Sequence, residues 1–179
     1  MKQNPAPRGI RNNNPGNLCK NHIHWNGLAH LQDDPDFIIF TDPLSGLIAL
    51  MTTIVQYGDL NNLNTIEELA LRWAPLDNKE ADSYIKMITD HMMIPPNQPV
   101  HLKNHSVLIK FTQAIILQEN GSPIEHMDNY WYSDELYHQA AESVLGGETS
   151  SGVTVLKHLY ILNFTKERVS DGQNYYGSR

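Results

Sequence analysis

The sequence predicts a mainly α domain of the α+β class with a small β-hairpin lobe, and three observations carry that reading. Five segments repeat apolar residues at helical spacing, one short run (Phe37-Ile38-Ile39-Phe40) has strand character, and turn formers cluster at Asn12 to Asn17 and Asp33 to Asp36. The length of 179 residues, with 40% hydrophobic and 18% charged residues, fits one globular domain plus an appendage. The domain is expected over 1–145, and residues 146–179 are read as a linker and C-terminal extension.

Residues 1 to 8 form a loose leading segment, and Asn12-Asn13-Asn14-Pro15-Gly16-Asn17 is a shaped loop whose residues bond the backbone locally or accept positive φ. Trp25-Asn26-Gly27, the acidic turn Asp33-Asp34-Pro35-Asp36 and Phe37 to Phe40 together make the expected hairpin lobe. Asp42 caps the first long helix and Pro43 takes its first position, with Leu44, Leu47, Ile48, Met51, Ile54 and Val55 facing the core as far as Tyr57-Gly58. Thr65 and Glu68 have capping-box spacing and open a short helix that stops before Pro75, so Glu67 and Glu68 read as helix-start charges. A third helix is expected from about Lys79 to Met93, ended by Pro95-Pro96, and a fourth from Ser106 to Glu119, where Asn120-Gly121 gives the stop. A fifth spans Ser133 to Leu145; Gly146 to Gly152 reads as a flexible connector, and Val153 to Phe164 is the apolar part of the tail.

Charge and composition exclude several functions. With 13 basic and 20 acidic residues the formal charge is −7, so the net positive field that holds phosphate backbones is missing and nucleic acid is not an expected partner. No run approaches the ~20 apolar residues of a membrane span. The first fifteen residues lack the apolar stretch of a secretory signal, so the protein is expected to be made in the cytoplasm and to reach any external target by another route. The single cysteine, Cys19, forms no internal disulfide and reads as a small packed side chain. His22-Ile23-His24 would point two imidazoles the same way from a strand, but no third ligand follows at a recognisable spacing, and no Walker, Rossmann or GxSxG pattern occurs. Neither a metal nor a cofactor is expected.

The chemically suggestive residue is Glu119. It continues the stripe of Leu108, Phe111 and Ile115, which carries its carboxylate out of the core-facing side of the helix end. A carboxyl group partly removed from water, at the negative end of a helix dipole, has its charged form disfavoured, as a general acid requires. The alternative is a glutamate turned to solvent at a frayed end.

The residues Arg8 to Leu18 (RGIRNNNPGNL), Trp25-Asn26-Gly27, Phe40 to Gly46, Arg72-Trp73-Ala74-Pro75 and Gln118 to Gly121 resemble a phage and prophage family of small lysozyme-like proteins that look like peptidoglycan hydrolases. The resemblance spans about residues 8 to 121 and implies a lysozyme-like catalytic domain. A second resemblance, to autolysin-type and flagellar-type glucosaminidases, involves Asn17-Leu18, Trp25-Asn26-Gly27 and Phe40 to Pro43, with Glu119 displaced as in a circular permutation, which a scaffold with adjacent termini tolerates. Cys19-Lys20 departs from the basic residue that usually follows the Asn-Leu turn.

Taken together these imply cleavage of the peptidoglycan glycan strand by a lytic transglycosylase or a muramidase- or glucosaminidase-like route. Glycosidases normally use two carboxylates, whereas lysozyme-like transglycosylases manage with one; only Glu119 stands out, and Asp33, Asp34 and Asp36 are either a second acid or a solvated turn. Substrate-binding candidates are Asn14, Asn17, Trp25, Tyr84 and Arg11, each with an alternative: the asparagines close their loop, Trp25 and Tyr84 pack, and Arg8 and Arg11 pair with the acidic turn instead of wall carboxylates. A stem-peptide endopeptidase and a non-catalytic wall-binding or virion protein are the competing functions. Delivery by lysis, in a phage particle or through a contractile secretion system would bring the protein to the wall. The last route makes it an antibacterial toxin that needs an immunity protein, and the acidic charge argues for a carrier protein, with docking sought in residues 146 to 179.

Overall fold

The computed structural model describes residues 6–73, 78–123 and 130–146; Ala74-Pro75, the connector after Gly146 and the tail through Arg179 lie outside the described residues. The described residues are mainly helical, with α1 (Arg8–Arg11), α2 (Pro43–Asn61), α3 (Ile66–Trp73), α4 (Asn78–Met92), α5 (His105–Asn120) and α6 (Asp134–Leu145). None of these helices is long and apolar enough to cross a membrane.

Local chemistry sets most of the boundaries. The Asp42 carboxylate accepts from Ser45 N (2.9 Å) and from the hydroxyls of Thr41 and Ser45, with Pro43 at the first helical position. Burial pushes the Asp42 carboxyl up, but these donors together with Leu44 N outweigh it and hold it below its ordinary value. At α3, Glu68 reaches back to Asn64 N and Thr65 N while its own N–H donates to Thr65 Oγ1, which completes the capping box. Asn104 and Ser133 cap α5 and α6 through Val107 N and Leu136 N. The helical turn α1 has no signature of this kind; it forms where the RGI motif folds against the rest of the molecule.

Two helices form the centre. In α5 Leu108, Ile109, Phe111, Thr112, Gln113, Ala114, Ile115 and Ile116 are all buried, so little of the middle of this helix faces water, and α4, α6, α2 and α1 pack around it. Helix α2 buries Leu47, Leu50, Met51 and Ile54 and packs against α6, α5 and α3. Tyr137 of α6 is fully buried between them, and burial pushes its hydroxyl well above the usual tyrosine range.

The segment expected as a β-hairpin forms isolated antiparallel bridges, Cys19 to Phe37 and Leu28 to Phe40, and no regular ladder among the described residues. The cause is visible in the bonds of residues 38 to 40. Ile38 N donates to Leu18 O, and Ile38 O accepts from the Asn14 side-chain amide. The Gln32 side chain accepts from Ile39 N and donates to Ile39 O, Phe40 N donates to Asn12 O, and Phe40 O accepts from the Asn13 amide. Every backbone donor and acceptor of these three residues is satisfied, but side-chain amides bond four of the six, with Ala29 N also donating to Ile39 O, so most of the bonds a neighbouring strand would provide are made by side chains.

The lobe is clasped to α1 by charge. Arg8 binds Asp34 with two parallel bonds, Nε to Oδ2 at 2.7 Å and Nη2 to Oδ1 at 2.5 Å, reaches Asp36 at 2.8 Å, and lies over the Phe37 ring at 4.4 Å. The acidic turn is therefore a paired structural element. The Arg8 guanidinium, opposed by partial burial and helped by Phe37 N, the Asn12 amide and Asp36 N, holds the Asp34 carboxyl well below the usual carboxylate range. A carboxyl lowered on folding contributes stability that is complete above its unfolded value near pH ~4 and lost as the pH falls through the folded one. Asp34→Asn is therefore expected to lower the urea midpoint at pH 7, with a deficit that shrinks progressively below pH ~4; an equal deficit at both ends of the titration would refute this role.

Candidate functional site

Helix α5 delivers Glu119 to its C-terminal turn, where burial gives way to solvent: Ile116 is buried, Gln118 is exposed and Glu119 is half-buried. The two oxygens of its carboxylate are held from different parts of the chain. The Asn17 side-chain amide donates to Oε2 at 2.9 Å across 102 residues of sequence, and the Tyr84 hydroxyl of α4 lies 3.4 Å from Oε1. A tyrosine hydroxyl both donates and accepts, so the Tyr84 contact is compatible with either protonation state of the acid. The Asn17 amide donates to Oε2. The group is a half-buried carboxyl held between two parts of the chain, an arrangement that suits a general acid or base.

The asparagine loop reaches this position by local bonds. Asn13 and Asn17 sit at φ 50, a left-handed conformation that asparagine tolerates better than most residues. Asn14 is fully buried, donating to Leu18 O and Ile38 O and accepting from Leu18 N, so its side chain folds the loop and faces no groove. On the helix side Asn120 donates to Pro15 O at 2.7 Å and to Ile116 O at 3.1 Å, tying the loop to the residue next to Glu119.

Gly9 of α1 lies at the junction. A Cβ there would fall 2.5 Å from Asn120 Oδ1, 2.7 Å from Asn17 Oδ1 and 2.9 Å from Asn14 O, so three asparagines close around the missing side chain. Both amide oxygens are buried without a hydrogen-bond partner among the described residues. Gly46 plays the same part in α2, whose Cα Asn13 O approaches too closely for any side chain.

The structure thus brings together three of the residues singled out from sequence, Glu119, Asn17 and Tyr84. Tyr84 is 2% exposed and lies beneath the carboxylate, which places it as a support and not as a stacking surface. Trp25, 7% exposed, belongs to the hydrophobic core, so the expectation that it lines a groove is corrected by the packing of its ring. Arg11 is exposed on α1 with no ion pair among the described residues, while Arg8 takes the acidic turn. Among the described residues no three His, Cys, Asp or Glu side chains group to hold a metal ion. Gly9 and Trp131 are not site candidates in the sequence, and Asn120 reads there as part of a helix stop. The run Tyr130-Trp131-Tyr132 is an aromatic cluster that signals a special surface, whereas the 105-residue reach of Asn120 to Pro15 has no sequence signature.

Gly9→Ala should destabilise the fold by about 1–3 kcal/mol, as overpacking does, with the loop displaced from α5; chemical denaturation and the amide chemical shift of Asn17 would reveal both. A fully stable variant with an unmoved Asn17 signal would contradict the close packing described.

No protein-family model matches the chain. It is similar to Protein P5 of Pseudoalteromonas phage PM2, with 36% identity over 126 residues, which is 66% of this chain and 74% of the phage protein. Identity of that extent, over most of the phage protein's length, places this chain in the family of Protein P5 of that phage.

Proposed function

We propose that the protein cleaves the glycan strand of peptidoglycan, with Glu119 as its acid and base. The observation that carries the reading is the half-buried carboxyl group at the end of the central helix, bonded by Asn17 on one oxygen and approached by the Tyr84 hydroxyl on the other. On this reading the helices are a lysozyme-like domain, with residues 18–41 as its small β lobe. Asp34 is bound to Arg8 and Asn12, so it is not available as the second carboxylate of a two-acid mechanism. The single-acid route fits better. Glu119 gives its proton to the leaving glycosidic oxygen; a hydroxyl of the same sugar then attacks the anomeric carbon and returns its proton to Glu119, leaving an anhydro end. The phage relative favours delivery to the wall with a particle or at lysis over a secretion system.

Incubation of murein sacculi with the wild-type protein should release muropeptides, and mass spectrometry should find anhydro ends, lighter by one water than hydrolysed ones. Glu119→Gln should lower the release by about 10²–10⁴-fold while the protein stays folded. Intact disaccharides with cut peptides would assign an endopeptidase instead, and no soluble product would leave a wall-binding protein. Asn17→Gly keeps the left-handed backbone and removes only the amide, so kcat should fall about tenfold with little change in KM. An unchanged kcat would show that Asn17 does not orient the acid.

A further inference from the structure

Resting on the glycosidase reading above, we infer that Trp131 is the stacking platform of a saccharide subsite beside Glu119. The chain has three tryptophans, of which Trp25 and Trp73 are buried at 7% and 2% exposure, while Trp131 is half-buried and leaves part of its indole to solvent. It is held by one bond of its own and by the packing of its two neighbours. The indole N–H donates to Gly121 O at 2.7 Å, and the flanking Tyr130 and Tyr132 rings both pack edge-on against the buried Tyr137, at 6.5 and 6.0 Å between centroids. Tyr130 also meets His91 of α4 edge-on at 5.9 Å.

The anchoring residue is the cap of the helix that carries the acid. Gly121 adopts φ 71 with ψ 179, a backbone conformation that favours glycine, directly after α5, and among the described residues a Cβ built on it would meet nothing within 4 Å. Two trans-peptide steps of about 3.80 Å place the Gly121 Cα no more than about 7.6 Å from that of Glu119. A half-buried indole, hydrogen-bonded to the residue that caps the helix ending in Glu119 and packed against the core, keeps part of its apolar ring surface in solvent at little ordering cost on binding. An N-acetylhexosamine ring has the complementary shape, with a face of C–H groups and a rim of hydroxyls.

The test is titration of the full-length Glu119→Gln protein with β1,4-linked N-acetylglucosamine oligomers, read by tryptophan fluorescence and calorimetry, alongside Trp131→Phe and Trp131→Leu in the same background. Leu retains apolar volume without a flat π face, and Phe retains the face without the N–H. Glu119→Gln should bind with a shift in fluorescence, Trp131→Phe should bind within about threefold of it, and Trp131→Leu should bind at least tenfold more weakly at a similar Tm. In the catalytically active background Trp131→Leu should raise KM more than it lowers kcat. Equal binding by the Leu variant overturns the subsite and leaves the glycosidase reading standing if sacculi are still cut. Absence of oligomer binding by Glu119→Gln overturns the subsite as well, and sacculus digestion then decides separately whether the glycosidase reading falls with it.

Discussion

Side-chain amides standing in for backbone partners hold this molecule together where the lobe, the first helical turn and the central helix meet. Asn13, Asn14 and Gln32 bond the carbonyls of Phe40, Ile38 and Ile39, and Asn120 bonds that of Pro15. An unpaired backbone group buried in this way costs about 1–3 kcal/mol, so each amide matters more for the penalty it removes than for the bond it adds. The arrangement also replaces a β-ladder, which requires a continuous neighbouring strand, with point contacts that a short irregular loop can provide.

Close approach follows from the same chemistry. An amide reaches a carbonyl only if the backbones come near, and Gly9 and Gly46 remove the side chains that would keep them apart. The loop is consequently seated on α2 and α5 at once, and the carboxylate at the end of α5 falls beside Asn17 without any added element. Helix α5 contributes rigidity, because its middle is buried by four neighbours and its last turn cannot rotate without moving them. The Arg8 clasp ties the acidic turn to the start of the asparagine loop, with Asp34 bonded to both Arg8 and Asn12.

Much of the helical framework was legible because its signals are local. Asp42-Pro43 and Thr65 with Glu68 are caps whose bonds lie within a turn of the residues that signal them, and the stripe from Leu108 to Glu119 gave both the helix and the side of it from which the acid emerges. The lobe was less legible. Phe37 to Phe40 has strand composition, but whether it pairs in a ladder depends on which groups reach its carbonyls, and Asn14 and Gln32 reach them first. Trp25 shows the same limit: a tryptophan beside Asn-Gly fits a groove wall and a core plug equally well until the packing around it is known.

The sequence by itself determined the five longer helices, the caps at Asp42 and at Thr65 with Glu68, the acidic charge that disfavours nucleic acid, and the asparagine loop as a shaped element, since each follows from residues a few positions apart. Only the tertiary structure decided that Asn17 and Tyr84 meet Glu119, that Asn14 is internal, that Arg8 and not Arg11 takes the acidic turn, and that Trp131 is the tryptophan left partly open. The physical reason is range. Capping and periodicity are set within one or two turns of chain, whereas a contact across 102 residues depends on how whole helices pack, and that packing energy belongs to no single stretch of sequence.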